Sequence, residues 1–135
     1  MRLLLDTHVL IWIVMAPDRV GAKARAAIAA DGAEVHASHV SLWEIAIKRR
    51  LGKLEQIDRP ALDWFRHYVA VSNLRQLPIH AEHLGAVETL PHLHGGAPPR
   101  LRLHAVAALA AHRQGQVSAG PVLGGMAQVA VVQAS

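Results

Sequence analysis

Two carboxylates in this sequence sit among residues that do not solvate charge. Asp6 closes the apolar run Leu3-Leu4-Leu5, and Glu44 is flanked by Leu42, Trp43, Ile45, Ala46 and Ile47. An unpaired charge in such a setting costs on the order of several kcal/mol, so each acid calls for a partner. One reading gives both to a hard cation, which takes oxygen ligands of this kind. A second reading makes Asp6 a cap for a helix opening at Thr7-His8, and pairs Glu44 with Lys48 at i+4 on a solvated helix face. From the residues alone both stay open. Thr7 either adds a hydroxyl near such a cation or bonds within its own helical turn.

Other chemistries are excluded or weakly signalled. No cysteine is present, which removes disulfides, thiolate nucleophiles and Cys-type zinc sites. No glycine-rich turn follows Leu5, so a dinucleotide or Walker-type phosphate cradle is not expected. His80-Ala81-Glu82-His83 and His92-Leu93-His94 lack the H-E-x-x-H placement and share no focus, which assigns them to surface and helix ends. Lys48, Arg49, Arg50 and Lys53 follow Glu44, either as a stripe for a phosphate backbone or as a helix end favoured by the dipole. Trp12, Trp43 and Trp64 lie among apolar neighbours, as core or dimer contacts rather than base-stacking platforms.

The elements that must hold these residues follow from pattern. Leu3 to Leu5 reads as a strand buried on both faces, delivering Asp6 to its carboxyl end. Val9 to Met15 forms a short helix stopped by Pro17, and residues 21–30 form a second, alanine-rich one. Glu34 to Ala37 reads as a strand, after which Ser38 caps a helix from Val40 to Leu51 ended by Gly52. A helix from Pro60 to Val71 presents Trp64, Phe65, Tyr68 and Val69 on one face. Leu74 to Leu77 is a third strand, followed by a helix from about His80 to Thr89. Beyond lie the loop Gly95 to Pro99, an alanine-rich helix to about Arg113, and strand candidates at Val117 and at Val129 to Val132. Strand and helix alternate throughout, the signature of an α/β sandwich with a mostly parallel sheet of about four or five strands.

The chain of 135 residues, 52% of them apolar, is enough for one domain over residues 1–135 with one continuous core. No apolar run approaches the ~20 residues that cross a bilayer, and no signal-peptide pattern opens the chain, so a cytoplasmic protein without a membrane partner is expected. Its formal charge of +4 and pI near 10.3 suit phosphate-bearing partners. All ten carboxylates fall between Asp6 and Glu88, whereas residues 89–135 carry Arg100, Arg102 and Arg113 and no acid.

MRLLLDTHVLIW, followed about forty residues later by SLWEIAIKRRLGKL, resembles the PIN-domain ribonucleases, the toxins of VapBC toxin–antitoxin pairs (VapC type). LPIHAEHLGAVETLPHLH extends the likeness to His94, and PVLG and VAVVQA resemble the family's last segment. The resemblance implies a three-layer α/β/α PIN-like domain. It also implies a Mg²⁺-dependent endoribonuclease toxin of a type II system, with Mn²⁺ as an alternative ion, an RNA substrate and a cognate antitoxin, while the large apolar content of so short a chain favours a homodimer interface. Asp6 and Glu44 then inherit the metal-binding and catalytic positions.

One stretch departs from the family. Where a loop like H-x-D-P-F-D-R is expected, the chain reads His94-Gly95-Gly96-Ala97-Pro98-Pro99-Arg100, so Gly96 and Pro99 occupy the acidic positions. Where S-A-D is expected, Gly120 follows Ser118-Ala119. Mg²⁺ requires octahedral oxygen coordination, and one contact charge pair at an effective dielectric of ~20 is worth up to ~4 kcal/mol before desolvation. Losing carboxylates therefore implies weak or lost activity. The alternative is a non-catalytic PIN-like module that keeps dimer, antitoxin or RNA binding. Family-like sequence on both sides of residues 95–120 suggests a local frame disruption or drift in a silenced copy; an acid-containing reading frame in the same DNA is the expected sign, and its absence counts against the idea.

Overall fold

Parallel pairing of short apolar strands organises the molecule, which the computed structural model describes over residues 2–85 and 129–130. The strand β1 (Arg2–Leu5) leads into helix α1 (Thr7–Met15), a 3-10 turn at Pro17–Arg19 and helix α2 (Ala22–Ala29). Next come strand β2 (Glu34–Ser38), helix α3 (His39–Arg50) and helix α4 (Ala61–Val71). Strand β3 (Arg75–Leu77) and the short helix α5 (Ala81–Gly85) follow, and β4 (Val129–Ala130) completes the described elements. The observed bounds match the sequence expectation closely for β1, α1, α2, β2, α3 and α4.

The four strands lie in the order β3-β2-β1-β4. β1 pairs with β2 in parallel, from Arg2 opposite Glu34 to Leu5 opposite Ala37, and β2 pairs with β3 in parallel. β4 joins β1 antiparallel, with Leu5 opposite Val129. The sheet is thus mostly parallel as expected, with an antiparallel strand beside β1. The expected strand at Val117, the loop Gly95 to Pro99, the helix to Arg113 and the end of the helix to Thr89 lie outside the described residues.

Period-two alternation sorts the strand residues between two faces. Leu3, Leu5, Val35 and Ala37 share one core with Val9, Leu10 and Ile11 of α1, Ile45 of α3, and Trp64, Phe65 and Val69 of α4. That packing is what the handedness of parallel crossovers demands, because β1 to β2 and β2 to β3 step the same way and put their helices on one face. The opposite face carries Leu4, His36 and Leu77, each also buried. The second helical layer of the expected sandwich falls outside the described residues.

Polar contacts close the sheet where apolar ones stop. Glu34 receives Arg2 Nε at 2.9 Å and the Arg75 guanidinium at 2.9 Å, so one carboxylate ties three neighbouring strands. Arg75 and Gln76 leave β3 exposed and polar at the sheet edge, which disfavours pairing with a foreign strand. No described helix is long and apolar enough to cross a membrane.

Candidate metal centre at the carboxyl ends of β1 and β2

The strand order reverses its direction of growth at β1: successive strands run to β2 and β3 on one side, and β4 lies on the other. In open α/β sheets, ligands collect outside the carboxyl ends of the strands at such a point. Asp6 stands there as the residue after Leu5. Its backbone is extended, and its Oδ1 accepts the Thr7 N–H at 2.8 Å, capping α1. Oδ2 lies 3.6 Å from His8 Nδ1. The capping reading and the cleft position therefore hold together, since a carboxylate offers about four acceptor sites and the cap uses one.

Ser38 holds the matching place at the end of β2. Its hydroxyl accepts the Val40 N–H at 3.0 Å and starts α3 as expected. Two turns of α3 later comes Glu44, and here the solvated-face reading is corrected. Glu44 is only 7% exposed, although Lys48 Nζ lies 4.0 Å from its Oε2 at the i+4 position. The reason is tertiary: α3 turns the side of Val40, Ser41, Glu44 and Ile45 inward against α1 and α4, and leaves Trp43 and Ile47 outside.

The helices that carry the two acids are joined by a contact that sequence reasoning missed. Thr7 Oγ1 donates to Ser41 Oγ at 3.0 Å, with both residues fully buried. Thr7 follows Asp6, and Ser41 precedes Glu44 by one helical turn, so the carboxylates flank one hydroxyl contact between α1 and α3. Thr7 thus bonds across from α1 to α3. The S-x-x-E spacing of Ser41 and Glu44 was the available signal, because i and i+3 share a helix face. His8, beside Asp6 and 5.9 Å from the Trp12 ring, was likewise visible only as a neighbour in sequence.

Residues 3–115 match the PIN domain family. The chain belongs to the PIN domain family. No significant match exists among curated proteins or solved structures. The matched span contains Asp6, Thr7, Ser41 and Glu44 and sets the parallel β1-β2-β3 sheet within an α/β nuclease fold, one that typically uses divalent metal ions.

Whether this PIN domain suits a divalent ion is a question of donors. Among the described residues no three His, Asp or Glu gather as a metal cluster. Asp6 and Glu44 remain as two buried carboxylates, a set that fits Mg²⁺ because this ion keeps several waters and takes one or two carboxylates plus substrate phosphates. His80 and Glu82 are exposed and build no zinc site with described neighbours, whereas His92 and His94 lie outside the described residues. Gly96, Pro99 and Gly120 lie outside them too.

The basic residues that follow Glu44 occupy the last turn of α3 and beyond. Arg49, Arg50 and Lys53 are exposed, and Arg49 Nε donates to the Ile57 carbonyl at 3.3 Å. Of the three tryptophans, Trp64 is core, and Trp12 packs at the core edge with the Arg19 guanidinium 5.6 Å from its ring centroid. Trp43 is 52% exposed, followed by exposed Ile47 one turn on and exposed Leu51 at the C-cap of α3.

Proposed function

We propose that this PIN domain is a Mg²⁺-dependent endoribonuclease toxin of the VapC type, weakened or silenced by the missing acids at Gly96, Pro99 and Gly120. The observation that carries the reading is the burial of Asp6, the cap of α1, and of Glu44 in α3, two helices that the Thr7–Ser41 contact ties together next to the carboxyl edge of a nuclease-fold sheet. Asp6 and Glu44 would hold Mg²⁺, or Mn²⁺ in its place. When bound, such an ion supplies orientation and acidification of an attacking water and charge neutralisation at the phosphate. The exposed Arg49, Arg50 and Lys53 would hold the RNA backbone in register without reading bases.

The reading extends to a cytoplasmic protein in which residues 1–135 form one PIN-like domain, held inactive by a cognate antitoxin and paired as a homodimer. Cleavage of bulk cellular RNA with and without Mg²⁺ tests it, comparing the chain with Asp6→Ala and with Gly96→Asp/Pro99→Asp/Gly120→Asp. Mg²⁺-dependent cleavage that Asp6→Ala abolishes supports an enzyme, and a rise on restoring the acids assigns the weakness to their loss. Absence of cleavage in every form counts against it.

A second reading is a non-catalytic PIN-like module that keeps dimer, antitoxin or RNA binding. The exposed line Trp43, Ile47 and Leu51 favours it, because an apolar stripe on a helix is an interface feature independent of the acids. RNA or antitoxin binding that persists without cleavage, unchanged by Asp6→Ala, is its signature.

A further inference from the structure

Neighbouring strands fix where Asp6 and Ser38 are rooted, but not how far Glu44 stands from Asp6. Leu5 lies opposite Ala37 in the parallel register, so the first residues of α1 and α3 leave adjacent strand ends. Glu44 is two turns out along α3, and its distance from Asp6 depends on the tilt of α3 against α1. Apolar packing is tolerant of small changes in such a tilt, whereas a hydrogen bond weakens steeply with distance and angle. Two like charges also push the helices apart when no cation lies between them.

We propose that the buried Thr7–Ser41 hydroxyl pair is a positioning device that sets the separation of Asp6 and Glu44 for a divalent cation. The proposal rests on the reading of those two carboxylates as the ligands. Three observations carry it. The Thr7 Oγ1 to Ser41 Oγ distance is 3.0 Å, both residues are fully buried, and 34 residues of chain separate them. The pair sits one residue from Asp6 and one turn from Glu44, at the depth where the tilt is read out. Neither hydroxyl is needed for helix starting, since Asp6 caps α1 and Ser38 caps α3 with their own side chains. Thr7 and Ser41 touch no substrate in this scheme and act through the carboxylates.

The test is Mn²⁺ binding by the full chain, followed through the electron paramagnetic resonance signal of free Mn²⁺. Thr7→Val keeps the shape of Thr7 without its hydroxyl, Ser41→Ala removes one oxygen, and Thr7→Ser restores the hydroxyl without the methyl group. Thr7→Val and Ser41→Ala are expected to weaken Mn²⁺ binding about tenfold, as losses of groups supporting metal ligands commonly do. The double variant is expected to bind no more weakly than the weaker single one, because both remove the same bond. Thr7→Ser is expected to stay within about twofold of the parent.

Folded Thr7→Val and Ser41→Ala proteins that bind Mn²⁺ like the parent overturn the proposal. So does a Thr7→Ser protein as weak as Thr7→Val, which would assign the effect to methyl packing. Should Thr7→Val not fold, Ser41→Ala decides alone. A parent that binds no better than Asp6→Asn or Glu44→Gln instead overturns the reading of the two carboxylates, and the positioning role falls with it.

Discussion

Asp6 accepts the Thr7 N–H through Oδ1 while its carboxylate lies at the strand edge, so capping and charge respond differently to substitution. Asn caps about as well as Asp, and Ala does not cap. Asp6→Asn is therefore expected to keep unfolding free energy within about 0.5 kcal/mol of the parent, and Asp6→Ala to lose about 1 kcal/mol. Both variants are expected to lose divalent-ion binding. Urea unfolding in parallel with Mn²⁺ titration separates the two roles; equal stability of the variants would remove the cap from the account.

The helix α3 is held at both ends by local chemistry and along its middle by packing. Ser38 supplies its N-cap, and Gly52 follows with φ of +71°, a conformation that L side chains pay to adopt. Ser38→Ala and Gly52→Ala are each expected to cost about 1 kcal/mol in urea unfolding. The α4 contribution is larger: Trp64 is 1% exposed in the shared core, and Trp64→Ala is expected to cost about 3–5 kcal/mol. That is a large part of the ~5–15 kcal/mol that holds a domain together, so loss of cooperative melting is the measurable result. On its outer face α3 presents Trp43 and Ile47, with exposed Leu51 at its C-cap. If these meet a second copy, Ile47→Glu is expected to yield monomers in sedimentation velocity without unfolding the chain; a parent that is already monomeric would rule this out.

At the scale of the whole molecule, acid enters through His36, on the sheet face shared with Leu4 and Leu77. Burial pushes its imidazole pKa below the ordinary 6.5; the Leu3 backbone and Glu34 oppose the shift, and Arg75 and Arg2 reinforce it. The folded state thus holds this proton less firmly than the unfolded chain does. Stability rises with pH wherever the unfolded state binds more protons, so the contribution of His36 is complete above about pH 6.5 and is lost as pH falls from there through the depressed value. Urea midpoints at pH 7.5 and pH 5.5 are expected to differ less in His36→Gln than in the parent. An unchanged difference would place the acid sensitivity elsewhere.

Much of this was written in local pattern. Leu3-Leu4-Leu5 ending in Asp6, Ser38 before an apolar periodic segment, Gly52 after it and Pro60 before α4 depend on neighbours within about one helical turn, and short-range sterics and hydrogen bonds determine them. The same nearness made Asp6 and Glu44 conspicuous as charges among apolar residues. Tertiary structure alone decided which way those charges point. Whether Glu44 reaches solvent with Lys48 or turns inward depends on the face that α3 presents to α1 and α4, and the helical pattern allowed either. The Thr7–Ser41 contact spans 34 residues, and the antiparallel entry of Val129–Ala130 beside β1 spans the length of the chain. Pairings of that range follow from how packed layers meet, which periodicity within a segment does not encode.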